Sequence, residues 1–409
     1  MPGFARVYVS LLLGRIAGQV VAVAFVLFVL ARYHSPQLAG VTAAFALLPG
    51  LAVSPLAGAL LDRYGRTRLV VLDYAVAALT LLLVAGLSAL RLLPPPLLLL
   101  IVGVASLTSP LSATGARTMF PILVPRHLWE RANALDSSGH VLAMLVGAPL
   151  GGAMVGLLGG ELALAATATL FALAALAMLR VRDPQGPRDG HGPVLRDAWL
   201  GLAYVLRNAT LRGLALTLGS YNLAWGLLNI AVPVLVLGRL HQGPASVGLL
   251  WGAFGFAGLA SALFTGRLRT EGRERQLMAG SMLVCAAAMA LLPFAASMPV
   301  AAVSLVVMGL ANGPLDIGLF TLRQRRTDPA WFGRAFAVSM SVNSIGIPIG
   351  SAFAGPLIGW SLDGALWIAV ATTVAAMFFP LVAIPGRLPA DSGGRVGQDA
   401  DQAAEKVQA

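Results

Sequence analysis

Apolar residues gather into about twelve runs of roughly 20 residues, separated by short segments rich in Arg, Pro, Gly and Asp. That is the length an α-helix needs to cross about 30 Å of hydrocarbon. Inside a bilayer only helices and closed barrels satisfy their own backbone groups. Barrel strands would be shorter and would alternate with polar residues, which these runs do not. The pattern therefore predicts helices near 8–30, 39–61, 69–91, 97–120, 135–158 and 161–180, then a more polar stretch, then 212–237, 246–266, 277–296, 299–322, 336–359 and 365–385. The first run is long enough to span and no small-residue cleavage site closes it, so it reads as a retained helix.

Composition agrees: the 409 residues are 58% hydrophobic and 11% charged, with mean hydropathy +0.82, where a soluble chain carries about 25% charge. The net charge of +11 would suggest nucleic acid in a soluble domain. Here the basic residues, all Arg except Lys406, concentrate between apolar runs without the interleaved aromatics of a strand-binding groove, so no nucleic-acid partner is expected. The single Cys285 lies inside a run and rules out a disulfide or cysteine cluster within the chain.

Arg63, Arg66 and Arg68, then Arg126 and Arg131, Arg180 to Arg212, Arg267 to Arg275 and Arg323 to Arg334 all fall in even-numbered connections, whereas odd ones hold only Arg32, Arg91 and Arg239. The positive-inside rule then puts both termini in the cytoplasm of a multi-pass plasma-membrane protein, consistent with an even number of spans. The polar middle predicts the division: an N-terminal six-helix bundle over 1–183, a cytoplasmic linker over 184–211 and a C-terminal six-helix bundle over 212–387. Within the linker the Pro/Gly-rich 183–193 is a flexible link. The stretch 195–211, with Trp199, Leu202, Leu206 and Leu211 set against Arg196, Asp197, Arg207 and Asn208, suits an interfacial amphipathic helix. The polar tail 388–409 is expected to be disordered.

The halves also resemble each other. Arg131, Ala134, Gly147 and Gly152 recur 203 residues later as Arg334, Ala337, Gly350 and Gly355, setting His140 against Asn343. A duplicated six-helix unit with its site at the half interface is one layout of secondary carriers.

The connection after the second run reads Gly58-Ala-Leu60-Leu-Asp62-Arg63-Tyr-Gly65-Arg66-Thr-Arg68. It resembles the G-x-L-x-D-R-x-G-R-[RK] loop of the major facilitator superfamily, with Thr67 at a position often basic. Gly58 permits close helix approach and Gly65 a tight turn. The resemblance implies that Asp62 and Arg66 help lock the halves in the outward-facing state; the plainer alternative is solvated loop charge. The corresponding second-half segment, Gly266 to Arg275, is degenerate, so the lock is expected to be asymmetric. Helix 5 carries Gly139, Gly147, Pro149, Gly151 and Gly152, which looks like the superfamily's exporter signature G…GPxxGG with one extra Ala. Glycine-rich packing is the alternative. The stretch Pro121…Val124-Pro125…Glu130-Arg131-Ala-Asn133-Ala134-Leu135 is similar to a branch containing siderophore and macrolide exporters.

Charge at membrane depth is costly and usually functional. Arg15, nine residues beyond Arg6, should lie about 13 Å deeper, with Gln19 one turn on. It is a cavity or coupling candidate, or else a structural ion pair or carbonyl clamp. Asn312 and Asp316 share a face of helix 10; an unpaired carboxylate there suits a proton carrier, and an ion pair with Arg323 or Arg15 is the alternative. Asn222, Trp225 and Asn229 share a face of helix 7, and by resemblance helices 1, 4, 7 and 10 border the cavity. Their mixture of amide and aromatic groups suits an amphipathic ligand, with interhelical hydrogen bonding the alternative. His140 offers an imidazole deep in helix 5, for coupling or packing. Asp73 and Asp136 read as partners of the nearby arginine clusters.

The fold class expected is therefore all-α, two pseudo-symmetric six-helix bundles with twelve transmembrane helices. The expected function is a proton-coupled exporter, an antiporter of small amphipathic molecules working by alternating access, monomeric and without cofactor or metal. A uniporter or nutrient symporter of the same fold is one alternative, and a non-transporting membrane sensor or assembly factor another. An enzyme is not expected: no HExxH, GxSxG or P-loop motif occurs.

Overall fold

A computed structural model describes residues 2–125, 128–181, 202–265, 272–327 and 332–386. Among them are twelve helices long and apolar enough to span a bilayer: Gly3–Tyr33, Pro36–Ser54, Arg66–Ala89, Pro95–Gly115, Leu135–Leu158, Gly160–Leu179, Ala209–Arg239, Pro244–Thr265, Glu274–Phe294, Met298–Arg326, Val338–Trp360 and Leu362–Val382. These are spans 1 to 12 below. No strand occurs among the described residues. The Pro/Gly-rich link, the first part of the amphipathic segment (up to Gly201), the segment 266–271 and the tail from Arg387 lie outside the described residues.

Turn chemistry sets the span ends. Ser35 caps span 2 by accepting from the Leu38 N–H at 3.1 Å, with Pro36 in the first helical turn. Ser361 caps span 12 in the same way through the Gly364 N–H. Gly65, at φ 91°, ends the helix Leu48–Tyr64 and starts span 3, the tight turn expected of it.

Three of the spans read as continuous from hydropathy are each split into two α-helices. Span 2 is built from Pro36–Phe45 and Leu48–Tyr64, span 4 from Pro95–Ser106 and Ser109–Leu123, and span 11 from Phe332–Ser344 and Gly346–Trp360. Each first helix stops four residues before a proline, namely Pro49, Pro110 and Pro348. Proline has no N–H to give the carbonyl four residues back, and its ring clashes there. At span 4 the freed Ser106 carbonyl accepts from Ser109 Oγ at 2.9 Å instead.

By packing the chain forms two compact units: Met1–His191 with Val232–Gly255, and Gly192–Ala231 with Phe256–Ala409. The division differs from the sequence boundaries at 183 and 212, because the end of span 7 and the start of span 8 pack with the first unit. In the first unit span 1 lies against spans 5 and 6, and Ser10 Oγ donates to the Ala174 carbonyl at 2.7 Å over a core of Val7, Leu11, Val70, Tyr74, Met119 and Met178. In the second unit span 9 packs on spans 10 and 12, and Ser304 Oγ donates to the Ala288 carbonyl at 2.7 Å.

Candidate functional site

In the first unit Arg15 is clamped rather than free. Its Nη2 lies 2.7 Å from Asp136 Oδ1, and its Nη1 donates to the Asp136 carbonyl at 2.8 Å. The side chains are 13% and 15% exposed. Asp136 meets Arg15, 121 residues away, because span 5 crosses span 1 there; the side chains of Arg126 and Arg131, the cluster near it in sequence, lie outside the described residues. Gln19, one turn on, is half-buried and makes no hydrogen bond among the described residues.

The expectation for Asp73 changes. Among the described residues this buried carboxylate pairs with no arginine; Thr108 Oγ1 donates to it at 2.7 Å from the break in span 4. The helix turns the side chain inward, toward span 4, while Arg66 and Arg68 stand at its end.

In the second unit Asp316 forms neither anticipated ion pair among the described residues. Asn312 Nδ2 donates to its Oδ2 at 3.0 Å across one helical turn. Tyr221 on span 7 and Cys285 on span 9 lie 3.2 Å apart, Oη to Sγ. Arg323, two turns along from Asp316, is itself buried, and its Nη1 lies 2.8 Å from Met340 Sδ.

The three span 7 candidates separate. Asn222 Nδ2 donates to the Asn343 carbonyl at 2.7 Å, the interhelical role. Trp225 stands edge-on to Tyr221, centroids 6.0 Å apart. Asn229, half-buried, makes no hydrogen bond among the described residues. The two units share a device: a polar side chain of the first helix of each half donates to a carbonyl of the fifth, 121 residues on in both cases. This pairs Arg15 with Asn222 and Asp136 with Asn343, a shift of 207 residues, one helical turn from the 203 of the glycine match.

The helix 5 glycines are contact points. A Cβ on Gly139 would lie 3.2 Å from Tyr8 Oη, one on Gly147 would stand on Gln19, and one on Gly151 would lie 2.7 Å from the Val20 carbonyl. Those three face span 1. Gly152 faces span 8, where a Cβ would lie 2.7 Å from the Pro244 carbonyl and 2.8 Å from Gly248 Cα, and Pro149 packs on Gly252. The same backbone-to-backbone approach joins spans 7 and 11 through Gly226, Gly346 and Gly350.

Of the loop motif, Gly65 makes its turn, Arg63 is exposed with its guanidinium 5.5 Å from the Tyr64 ring centre, and Arg66 opens span 3. The side chains of Gly58 and Asp62 lie outside the described residues. His140 is exposed on span 5. Sequence reasoning named Arg323 only as a partner for Asp316 and missed its burial against Met340, and it passed over the Tyr221–Cys285 contact; for Arg323 the signal was its place seven residues from Asp316, on the same helical face.

The Major Facilitator Superfamily model matches residues 7–223 and 214–405. The chain is 38% identical over 393 residues to the uncharacterized MFS-type transporter y4rN of Sinorhizobium fredii, covering 95% of this chain and 96% of that one. It is 28% identical over 401 residues to the multidrug efflux pump Tap of Mycobacterium tuberculosis, covering 95% and 94%. The solved structure of a mutant nucleoside transporter NupG is similar in fold, with TM-score 0.71 at 12% identity over 93% of this chain and 100% of that one. Twelve apolar helices, the loop motif at its place in the span order and these likenesses converge: the chain belongs to the Major Facilitator Superfamily, and is a multi-pass membrane transporter rather than an enzyme.

Proposed function

We propose that the chain is a proton-coupled exporter of small amphipathic molecules, an antiporter of the plasma membrane with both termini in the cytoplasm. The observation that carries this reading is Asp316. It sits ten residues, about 15 Å, from the arginine-rich end of span 10, and an uncharged amide rather than a cation supports it. A carboxylate so held can exchange a proton during the cycle without breaking an ion pair. Arg15 is already neutralised by Asp136. Export rather than import is favoured by the glycine signature of span 5 and by the likeness to a protein named as a multidrug efflux pump. Asp62 and Arg66 would gate the cycle, and Gln19, Trp225, Asn229 and Asn312 would contribute to binding. Substrate and protons would cross in opposite directions as the carrier alternates its access, and a monomer would suffice.

The test is proton flux in reconstituted vesicles under an imposed pH gradient, with ethidium, chloramphenicol and fluorescein as cationic, neutral and anionic probes. Probe-evoked proton movement is expected from at least one, and Asp316→Asn should abolish gradient-driven movement while leaving probe counterflow at equal pH. Full gradient-driven movement by Asp316→Asn would overturn the coupling role.

A further inference from the structure

Span 11 carries polar groups that its packing leaves unmet. Ser339 is fully buried and Asn343 is 3% exposed, yet Ser339 Oγ and both amide atoms of Asn343 make no hydrogen bond among the described residues. A helical serine can bond the carbonyl one turn back, and a buried amide without partners is destabilising for each group left unsatisfied. These two residues, four apart, lie on one helical face.

Their depth is informative. The helix Phe332–Ser344 and span 10 meet at the arginine-rich end of the molecule. At 1.5 Å per residue, Arg323 lies about 5 Å from that end, Ser339 about 10 Å, and Asn343 and Asp316 both about 15 Å. The unmet groups thus occupy the levels from Arg323 up to Asp316. Neighbouring helices tie them to the same region. Asn222 of span 7 holds the Asn343 carbonyl, the adjacent Tyr221 meets Cys285, whose Sγ lies 3.7 Å from the Met308 carbonyl of span 10, and Arg323 reaches Met340 beside Ser339.

We propose that Ser339 and Asn343 hold water molecules that carry the proton between Asp316 and the arginine-rich end, an inference that rests on Asp316 being the proton carrier. A hydroxyl and an amide each offer both a donor and an acceptor without charge, which matches water. Guanidinium nearby disfavours a bound metal cation. In the transfer, one O–H bond breaks at Asp316 as another forms on the first water, and each water passes a proton on. A single proton emerges at the end of the file and a carboxylate remains behind. Among the described residues, the charged and titratable groups that these contacts and levels bring to the region are Asp316 and Arg323 of span 10, Tyr221 of span 7 and Cys285 of span 9.

Two measurements decide it. Ser339→Cys should react with a small water-soluble methanethiosulfonate reagent in intact vesicles, against the low background of Cys285, the buried native thiol. No reaction under either direction of pH gradient would overturn the proposal. Ser339→Ala combined with Asn343→Val removes orphaned polar atoms, so it should fold at least as well as the parent. It should slow pH-driven movement of whichever of the three probes is transported by about tenfold or more while sparing its counterflow at equal pH. Parental pH-driven rates in this double variant, with Asp316→Asn still uncoupled, would sink the water file alone. Coupling retained by Asp316→Asn would sink the proton-carrier reading beneath it.

Discussion

Arg15 and Asp136 show how a charge is tolerated at depth: each removes the other's cost, and the guanidinium also takes a carbonyl. Removing one partner of a fully buried pair costs about 3–5 kcal/mol because the survivor stays uncompensated. Partial exposure of this pair, at 13% and 15%, should bring the loss below that range. Arg15→Gln and Asp136→Asn are each expected to lower the melting temperature of detergent-purified protein, and the double variant to recover most of the loss; additive losses would contradict the pairing. The candidates were legible as residue types because charge and amide stand out among Leu, Ala and Val. Their partners were not, since partnership at depth is decided by which helices cross. Asp73 is the case in point: five residues from Arg68 in sequence, it is served by Thr108 of another span.

Among elements, the twelve spans could be read from hydropathy because a lipid-facing helix must be apolar over its whole length. The interruptions could not be read from hydropathy, although Pro49, Pro110 and Pro348 marked them, since proline barely lowers the apolar average while removing one backbone bond. Other prolines, such as Pro149 and Pro314, sit inside unbroken helices, so the residue alone does not decide. Glycines divide similarly. Gly152→Ala would force a Cβ to within 2.8 Å of the backbone of span 8, whereas a Cβ on Gly86 meets nothing within 4 Å. Gly152→Ala should therefore reduce both membrane level and transport. Gly86→Ala should leave both intact and raise helix stability by up to about 1 kcal/mol. Equal tolerance of both, measured by quantitative blotting and probe flux, would show that the close approach is unimportant.

For the whole molecule, the six-plus-six count was visible in the sequence, but the assignment of packing was not: residues Val232–Gly255 join the first unit although they follow the linker. The glycine faces responsible, Gly152 against Gly248 and Pro149 against Gly252, carry no hydrophobic signature distinguishing them from ordinary lipid-facing turns. A fragment ending at Asp183 should accumulate poorly in membranes when expressed alone and be rescued by co-expression of 184–409; equal levels with and without the second fragment would contradict this. The arrangement also has a timetable. Between Leu158, where span 5 ends, and Gly255 the ribosome must add 97 residues, which at about 5–20 residues per second takes roughly 5–20 s. For that interval the backbone of span 5 from Ala148 to Gly156 is already made while its cover is not. The insertion machinery or a lipid must shield it until the hairpin arrives.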